Sequence, residues 1–352
     1  MQRHLQDNTP GSALIAMSGG VDSTVAAMLM LRDGYNCAGA VMKLYPCTSD
    51  STAVAQAAAQ KLGIPFYIYD FSECFGSRVI KQFINAYREG RTPNPCVECN
   101  RHLKFGSLLE KARELGKDFI VTGHYAQIEC SGGKRLLLKK GTDLSKDQSY
   151  VLYTLTQSQL ARIRFPLGGL SKPQVREIAL DMGFENADRR ESQDICFIPD
   201  GDYATFIAEY TGDPPRKGRF IDIDGNYLGE HNGVVRYTVG QRRGMGLAMP
   251  YPAYVLELRP EDDTVIVGRD EMLYSKVLHA KEINLIPFDK LDAPLSARVR
   301  IRYKHSEQPA TIYQIDNDTL RIEFIKPQRA ITRGQSAVIY DGDIVIGGGT
   351  IV

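Results

Sequence analysis

Residues 13–32 read ALIAMSGGVDSTVAAMLMLR and are the most informative stretch of this chain. Its apolar start predicts a strand and its end predicts a helix. The two glycines between them allow a tight turn through which the backbone can closely approach an anion. Unpaired N–H groups and the positive end of the helix dipole would face that anion. Ser18 and Ser23 add hydroxyl donors, and Asp22 could hold a metal ion or orient water, so the turn predicts a phosphate site.

This turn has neither the dinucleotide glycine fingerprint nor the lysine of the P-loop. Because no lysine or arginine lies inside it, we expect backbone groups and hydroxyls to make most phosphate contacts. The alternative is an ordinary glycine turn capped by serine. The pattern Ser18-Gly19-Gly20-Val21-Asp22-Ser23 resembles the PP-loop of ATP pyrophosphatases. That resemblance implies cleavage of ATP to AMP and pyrophosphate with adenylation of an oxygen.

Length and composition indicate a globular protein of two or three domains. The chain has 352 residues, of which 43% are hydrophobic and 24% charged. Residues 1–10 are polar, without a signal core, and no stretch has membrane-spanning length, so we expect a cytoplasmic protein. The formal net charge is +1, so nucleic-acid binding would depend on local patches.

The first half alternates predicted strands with predicted helices. The strands are expected at residues 13–17, 37–44, 66–70 and 118–122, and the helices at 53–62, 77–88 and 103–115. This order predicts an α/β fold with a parallel sheet, in which ligands gather beyond the C-terminal strand ends. Residues 149–185 are also predicted helical, with one helix beginning at Lys172-Pro173 and ending near Gly183.

After about residue 205 the pattern changes to short alternating runs separated by Gly, Asp and Pro. Period-two segments occur at residues 263–267, 297–303, 311–315 and 319–325, which is typical of small antiparallel barrels. We therefore predict three domains. They are a PP-loop ATP-binding catalytic domain at 1–205, a small central β-rich domain at 206–271, and a C-terminal β-barrel at 272–352.

The seven cysteines are odd in number and widely spread, which argues against a secreted disulfide framework. Cys96 and Cys99 lie in a proline-stiffened loop before a helix, where a thiolate would be stabilised. Cys196 lies near the first predicted domain boundary. The three are reactive thiols, unrelated cysteines, or ligands of an iron–sulfur cluster or zinc. Zinc is disfavoured because no second Cys-x-x-Cys or paired-histidine element completes a set of four ligands.

Several segments, in order along nearly the whole chain, resemble the bacterial tRNA-specific 2-thiouridylase family, which replaces O2 of the wobble uridine with sulfur. These segments are residues 17–23, 92–100, 122–126, 146–150, 191–198, 237–244 and 327–336. Together they form a highly specific pattern.

The resemblance implies a role for individual residues. Cys99 matches the family's nucleophile, and Cys196 matches the cysteine that carries a persulfide. The ATP-binding positions are Ala16, Met17, Ser18, Gly19, Gly20, Val21, Asp22, Ser23, Met42 and Gly123. The tRNA-binding positions are Asn94, Pro95 and Cys96 at the target base, with His124, Lys146, Asp147, Gln148, Arg302, Tyr303 and Gln335.

The implied reaction uses ATP as a co-substrate, and Mg²⁺ is expected with the triphosphate. A uridine oxygen is a poor leaving group, so ATP adenylates it and AMP leaves instead. A Cys196 persulfide either attacks directly and is resolved as a Cys99–Cys196 disulfide, or loses sulfide to attack by Cys99. The partners would be the anticodon arm of tRNA and a persulfide donor such as a cysteine desulfurase or relay protein.

The chain departs from the family pattern at two places. Cys96 stands where the family usually has an aspartate after Asn-Pro. Lys43-Leu44-Tyr45 follows Met42 where an Asn-Trp pair is usual, and the chain contains no tryptophan.

A basic stretch at residues 297–305 offers a surface for RNA. Strand alternation would place Arg298, Arg300, Arg302 and Lys304 on one face, and Val299, Ile301 and Tyr303 on the other. Four like charges without an acid among them favour phosphate contact, whereas a solvated barrel face is the alternative. Similarly, His124 could be a satisfied polar residue, Asp147 a helix cap and Lys146 a solvated side chain.

Three other functions stay open at this stage. An iron–sulfur-dependent tRNA thiolase would use Cys96, Cys99 and Cys196 as ligands. A PP-loop ligase or amidotransferase would adenylate a small carboxylate or amide. A catalytically silent tRNA-binding protein is the third, and the complete loop at residues 18–23 argues against it.

Overall fold

The structure is a computed structural model that describes residues 11–45, 49–133, 135–184 and 195–352. It divides into two compact units, and neither is one continuous stretch of chain. The first comprises Met1–Arg78, Val97–Ser192 and Asp343–Val345, and the second Val79–Cys96, Gln193–Gly342 and Ile346–Val352. No helix within the described ranges is long and apolar enough to cross a membrane.

The α-helices are α1 Val21–Arg32, α2 Ser49–Lys61, α3 Ser72–Phe75, α4 Lys81–Arg88, α5 Pro95–Cys99, α6 Leu108–Glu114, α7 Gln157–Leu160, α8 Lys172–Asp181 and α9 Tyr203–Thr211. The strands are β1 Ser12–Ala16, β2 Asn36–Lys43, β3 Phe66–Asp70, β4 Phe119–Val121, β5 Ala126–Cys130, β6 Leu136–Lys140, β7 Ile163–Arg164, β8 Gly218–Ile221, β9 Tyr227–His231, β10 Tyr254–Arg259, β11 Thr264–Gly268, β12 Tyr274–Leu285, β13 Leu295–Arg300, β14 Gln308–Gln314, β15 Thr319–Arg329, β16 Ser336–Asp341 and β17 Ile344–Ile351. Two π-helical segments, Gly76–Ile80 and Asn100–Ser107, precede α4 and α6.

A five-stranded parallel sheet forms the centre of the first unit, in the order β3-β2-β1-β4-β7. Ala13, Leu14 and Ile15 of β1 are fully buried because both faces of a parallel sheet are covered. Helix α1 packs on β1, β2 and α8. The predicted α/β fold is confirmed, and the four predicted strands correspond to β1 to β4.

The prediction of helix over residues 149–185 is wrong for much of that stretch. Residues 149–152 form one 3₁₀ turn, α7 has four residues, and β7 extends the parallel sheet beside β4. Tyr150, Leu152 and Tyr153 are fully buried, so their apolar spacing reflects burial rather than a long helix. The helix at Lys172 is confirmed, with Ser171 and Gln174 forming its capping box.

Strands β5 and β6 form an antiparallel hairpin in the first unit that the sequence analysis did not predict. Its outer strand β6 pairs with Ile344 and Val345, which also belong to this unit. Two alternating runs around Ser131-Gly132-Gly133 were the available signal.

The second unit is largely β-structure, as predicted. One sheet has the order β10-β11-β8-β9, and its core includes Phe220, Val255 and Val265. Strands β12, β15, β14, β13, β16 and β17 form a six-stranded barrel that closes through pairing of β12 with β17. The expected strand at 297–303 ends early, at Arg300, and helix α9 lies where the β-pattern was expected to begin.

Candidate active site

The glycine turn joins β1 to α1 in the manner predicted. Gly19 has φ +77°, and a Cβ there would lie 2.7 Å from the carbonyl oxygen of Ser51, so a larger residue would be strained and would clash. The Ser23 hydroxyl accepts from the Ser18 N–H at 3.2 Å and donates to the Gly20 carbonyl at 3.0 Å. These contacts hold the turn at the C-terminal edge of the sheet, beside the start of a 12-residue helix.

Gly123 follows β4 and lies against the start of α1. A Cβ on Gly123 would lie 2.9 Å from the carbonyl carbon of Asp22 and 3.0 Å from the nitrogen of Ser23. The two predicted ATP-binding segments therefore meet by backbone contact. Met42, a third predicted ATP position, lies near the C-terminal end of the neighbouring strand β2 and is half-buried.

The carboxylate of Asp22 is paired with a lysine that the sequence analysis did not single out for this site. Lys172 Nζ donates to both Asp22 oxygens, at 2.7 and 2.8 Å, and the Tyr125 hydroxyl donates to one of them at 2.8 Å. Lys172 is only 4% exposed. The turn has no cation of its own, as predicted, but α8 places one against its carboxylate.

Cys99 is half-buried at the last residue of α5, where the chain continues into a π-helical segment. The next residue, Asn100, is buried, and its Nδ2 donates to the Val151 carbonyl at 3.0 Å. That bond fixes the backbone directly after the thiol. Irregular helix of this kind is common at functional sites.

Cys196 is exposed and lies in the second unit, whereas Cys99 belongs to the first. The two residues after Cys196 are buried, Phe197 at 4% and Ile198 at 2% exposure. The Phe197 ring contacts Phe83 and Phe206, with centroids 5.4 and 5.2 Å away. The exposed thiol is therefore attached to an aromatic anchor. Residues 191–194 of its sequence motif lie outside the described residues.

The predicted target-base residues form the start of α5. Asn94 Oδ1 accepts from the Cys96 N–H at 3.2 Å, Pro95 is buried and the Cys96 thiol is exposed. Gln335, predicted to contact tRNA, donates from Nε2 to the Thr92 carbonyl at 2.8 Å. Its amide thus contacts the segment that leads into these residues.

His124 is 6% exposed and has partners at both ring nitrogens, so its surroundings match the alternative of a satisfied polar residue. Nδ1 lies 2.7 Å from the Thr122 hydroxyl, and Nε2 lies 3.4 Å from Lys104 Nζ. Because an ammonium only donates, Nε2 accepts and Nδ1 carries the proton toward Thr122. Burial, and then the nearby Lys104 charge, hold the pKa of His124 well below its usual range.

Among the predicted tRNA-binding residues 146–148, the side chains of Asp147 and Gln148 accept hydrogen bonds from other groups of this chain. Asp147 is buried, and its carboxylate accepts from the Gly141 and Ser149 N–H groups and the Ser149 hydroxyl. Gln148 Oε1 accepts from the Tyr125 N–H at 3.0 Å. Asp147 therefore organises its own loop, while Lys146 is half-buried.

The basic stretch differs from its predicted arrangement. Val299 and Ile301 are fully buried as expected, but Tyr303 is 41% exposed because the strand has ended. Glu307, absent from the predicted stretch, lies 3.0 Å from Arg300 and 3.7 Å from Arg298. Arg302 donates to the Arg329 carbonyl at 2.9 Å. Glu307, an acid from outside the stretch, therefore offsets part of the charge of Arg298 and Arg300, and phosphate contact by the stretch stays a prediction.

Within the described ranges, no group of three or more His, Cys, Asp or Glu side chains could hold a metal ion.

Comparison with known proteins gives a match along nearly the whole chain. Residues 12–200 match the family model described as the tRNA methyl transferase HUP domain. Residues 204–269 match the tRNA methyl transferase PRC-barrel domain, and residues 275–351 match the aminomethyltransferase beta-barrel domain.

Two curated relatives carry a consistent name. The tRNA-specific 2-thiouridylase MnmA of Clostridioides difficile (strain 630) is 45% identical, over 96% of this chain and 97% of that protein. The protein of the same name from Acetivibrio thermocellus is 46% identical, over 96% and 98%. A solved 4-thiouridine synthetase–RNA complex with bound ATP has a TM-score of 0.36 and 18% identity, and covers 51% of this chain and 43% of that one.

Proposed function

The chain belongs to the tRNA-specific 2-thiouridylase family, and we propose that it is an ATP-dependent tRNA-uridine 2-sulfurtransferase of the cytoplasm. The observation that carries this proposal is 45–46% identity over 96% of the chain to relatives of that name. The glycine turn with its buried lysine is consistent with the use of ATP. The iron–sulfur and small-substrate alternatives are not favoured by these relatives.

In the proposed first step, ATP binds at residues 16–23 with Met42 and Gly123. The uridine O2 attacks the α-phosphorus, pyrophosphate leaves, and AMP stays bonded to the base through that oxygen. The Gly20 end of α1 favours negative charge, and the Ser18 and Ser23 hydroxyls lie at the same turn. Lys172 keeps Asp22 from adding an uncompensated negative charge there.

Mg²⁺ would accompany the triphosphate, because in sites of this kind it usually keeps several waters and binds through one or two carboxylates together with substrate phosphates. Asp22 is the residue at the turn that would approach it. A carboxylate has about four acceptor positions, and the three hydrogen bonds from Lys172 and Tyr125 leave room for one more. When bound, the ion would neutralise charge that develops on the phosphates.

In the proposed second step, sulfur reaches C2 from a persulfide on Cys196. By the direct route its terminal sulfur bonds to C2 and AMP leaves. Cys99 then attacks the Cys196 sulfur, the persulfide bond breaks and the electron pair stays on the sulfur at C2. By the other route Cys99 attacks first and releases hydrosulfide, which attacks C2. Both routes end in a Cys99–Cys196 disulfide that an external thiol reduces.

For tRNA, we propose that Asn94, Pro95 and Cys96 meet the target base, with further contacts from residues 146–148, His124, Arg302, Tyr303 and Gln335. The buried Asp147 and His124 would act by shaping their surroundings. A single-stranded anticodon loop lets its bases splay out for such recognition. We also propose a three-part division at about residues 205 and 271, with a persulfide donor as a protein partner.

The direct test is to incubate the protein with unmodified tRNA, Mg·ATP and a persulfide source, digest the RNA and measure 2-thiouridine by mass spectrometry. We expect product with wild type and with Cys96→Ser, and none with Cys99→Ser or Cys196→Ser. Cys130→Ser is a matched control, because Cys130 is another exposed cysteine.

Three results would contradict this proposal. AMP formation without tRNA and no thiolated base would favour a small-substrate ligase. Loss of product with Cys96→Ser as well as the other two, with visible absorption after anaerobic purification, would favour an iron–sulfur thiolase. Salt-dependent tRNA binding without ATP turnover would indicate a silent binding protein.

A further inference from the structure

One turn of the barrel holds the segment that precedes the target-base residues. Arg333, Gly334 and Gln335, here called the latch, lie between β15 and β16, and Thr92 belongs to the same unit. The Thr92 N–H donates to the Arg333 carbonyl at 2.8 Å. The Thr92 carbonyl accepts from Gln335 Nε2, also at 2.8 Å. Both backbone polar groups of Thr92 are therefore bonded to the latch.

The latch also packs tightly against Arg91 and Thr92. Gly334 has φ +88°, and a Cβ there would lie 3.0 Å from Arg91 Cβ and 3.0 Å from the Thr92 nitrogen. Only glycine permits this approach without shifting the backbone. The contact is therefore a close backbone packing that the two hydrogen bonds secure.

The latch is itself firmly held by the last barrel strand. The Gly334 N–H donates to the Ile351 carbonyl at 2.8 Å, and the Ile351 N–H donates to the Gln335 carbonyl at 2.8 Å. On the other flank, Gly90 packs against Leu258 and Pro260, and a Cβ on Gly90 would lie only 3.1–3.2 Å from them. Residues 90–92 are therefore packed between the latch and the pair Leu258 and Pro260.

The short segment after Thr92 is stiff, so the position of Thr92 determines where the predicted target-base residues lie. Pro93 and Pro95 each fix φ near −65°, so few conformations separate Thr92 from Cys96. The Asn94 side chain closes the remaining turn through the Cys96 N–H. Orientation at Thr92 therefore sets the direction of this short, stiff segment.

We propose that Gln335 is a positioning residue, whose side-chain amide holds Thr92 so that residues 94–96 meet the target uridine in the reactive geometry. The inference rests on the proposed function and deepens it. It gives Gln335 a role in the free protein, before tRNA binds. A purely tRNA-contacting Gln335 would have no such role.

The first measurement is hydrogen–deuterium exchange over residues 90–99 in the absence of tRNA. We compare Gln335→Leu with Gln308→Leu, because the side-chain amide of Gln308 donates to nearby Ser306 on the same barrel. Loss of one hydrogen bond predicts about three- to tenfold faster exchange near Thr92 in Gln335→Leu. No change is expected in Gln308→Leu.

The second measurement is steady-state thiolation. For Gln335→Leu we expect kcat to fall about three- to tenfold, whereas loss of a tRNA contact alone would raise the KM for tRNA and leave kcat unchanged. Gln335→Lys keeps a donor toward the Thr92 carbonyl and should recover part of kcat. Gln335→Glu presents an acceptor to that carbonyl and should not.

Unchanged exchange with a raised KM for tRNA would overturn the proposal and leave Gln335 as a tRNA contact only. Equal kcat in Gln335→Leu and wild type would also overturn it. If wild type formed no 2-thiouridine, the proposed function would fail, and the exchange comparison would still decide whether the latch holds Thr92.

Discussion

Lys172 donates two hydrogen bonds to Asp22, and this ion pair joins the first turn of α8 to the first turn of α1. A lysine at the positive end of a helix dipole is unfavourable, and its burial adds a desolvation cost. The arrangement is stable because the carboxylate supplies the missing charge. The structure thus brings a cation to a phosphate-type turn whose own sequence has none.

We expect Lys172→Met to impair the use of ATP more than it impairs folding. Asp22 is 31% exposed, so solvent screening limits the loss of unfolding free energy to about 1–3 kcal/mol. Loss of Lys172 leaves the Asp22 charge uncompensated beside the proposed phosphate site, and this should slow tRNA-dependent pyrophosphate release at least about 100-fold. Chemical denaturation and a pyrophosphate assay measure the two effects separately.

The matched control is Lys61→Met, which removes an exposed lysine of the same unit that bonds to the Gly183 carbonyl. It should leave pyrophosphate release within about twofold of wild type. Equal rates in Lys172→Met and wild type would show that the pair is structural alone.

Gly123→Ala should weaken ATP binding because the added methyl would press on the backbone of Asp22 and Ser23. We expect about 1–3 kcal/mol of lost unfolding free energy and at least a tenfold weaker Kd for ATP by calorimetry. Gly169→Ala has open space around its Cβ and should behave as wild type. Normal ATP affinity in Gly123→Ala would contradict the close approach.

Phe197→Ala should separate sulfur transfer from ATP use. Removing the ring leaves a cavity beside Phe83 and Phe206, which costs about 3–5 kcal/mol. At a temperature where the variant is folded, we expect slower 2-thiouridine formation and nearly normal pyrophosphate release. Phe197→Leu should restore most of the stability. Equal losses of 2-thiouridine formation and of pyrophosphate release in Phe197→Ala would argue that Phe197 does not act specifically on Cys196.

His124 gives a pH-dependent prediction for folding. Its pKa is lowered in the folded protein, so as pH falls below about 6.5 the unfolded chain takes up a proton that folded His124 does not. Stability present at neutral pH is therefore lost on acidification. Relative to wild type, His124→Gln should gain up to about 1.4 kcal/mol per pH unit between pH 6.5 and 5. Parallel stability profiles of the two proteins would contradict this.

Local patterns predicted much of the fold. The strand, glycine turn and helix at residues 13–32 all form, and the period-two runs become β11, β14 and β15. The hairpin β5–β6 was missed although its turn chemistry was visible. Strand β7 has only two residues, and no sequence period can reveal so short a segment.

The partners of the site residues depend on contacts between distant parts of the chain. Lys172 reaches Asp22 across 150 residues, and Glu307 reaches back to Arg300 from beyond the end of β13. Neither is encoded by spacing within a motif. A helix that opens with a buried lysine was the available hint for the first, because such a charge needs a partner.

The pairing of β6 with Ile344 and Val345 joins parts of the chain that the ribosome makes at different times. A ribosome that has finished β6 must add about 200 further residues before that partner exists, which takes roughly 10–40 s at typical translation rates. Until then, one edge of the hairpin presents unpaired N–H and C=O groups to its surroundings. The nascent chain therefore exposes a strand edge that can pair with other chains until residues 344 and 345 have been made.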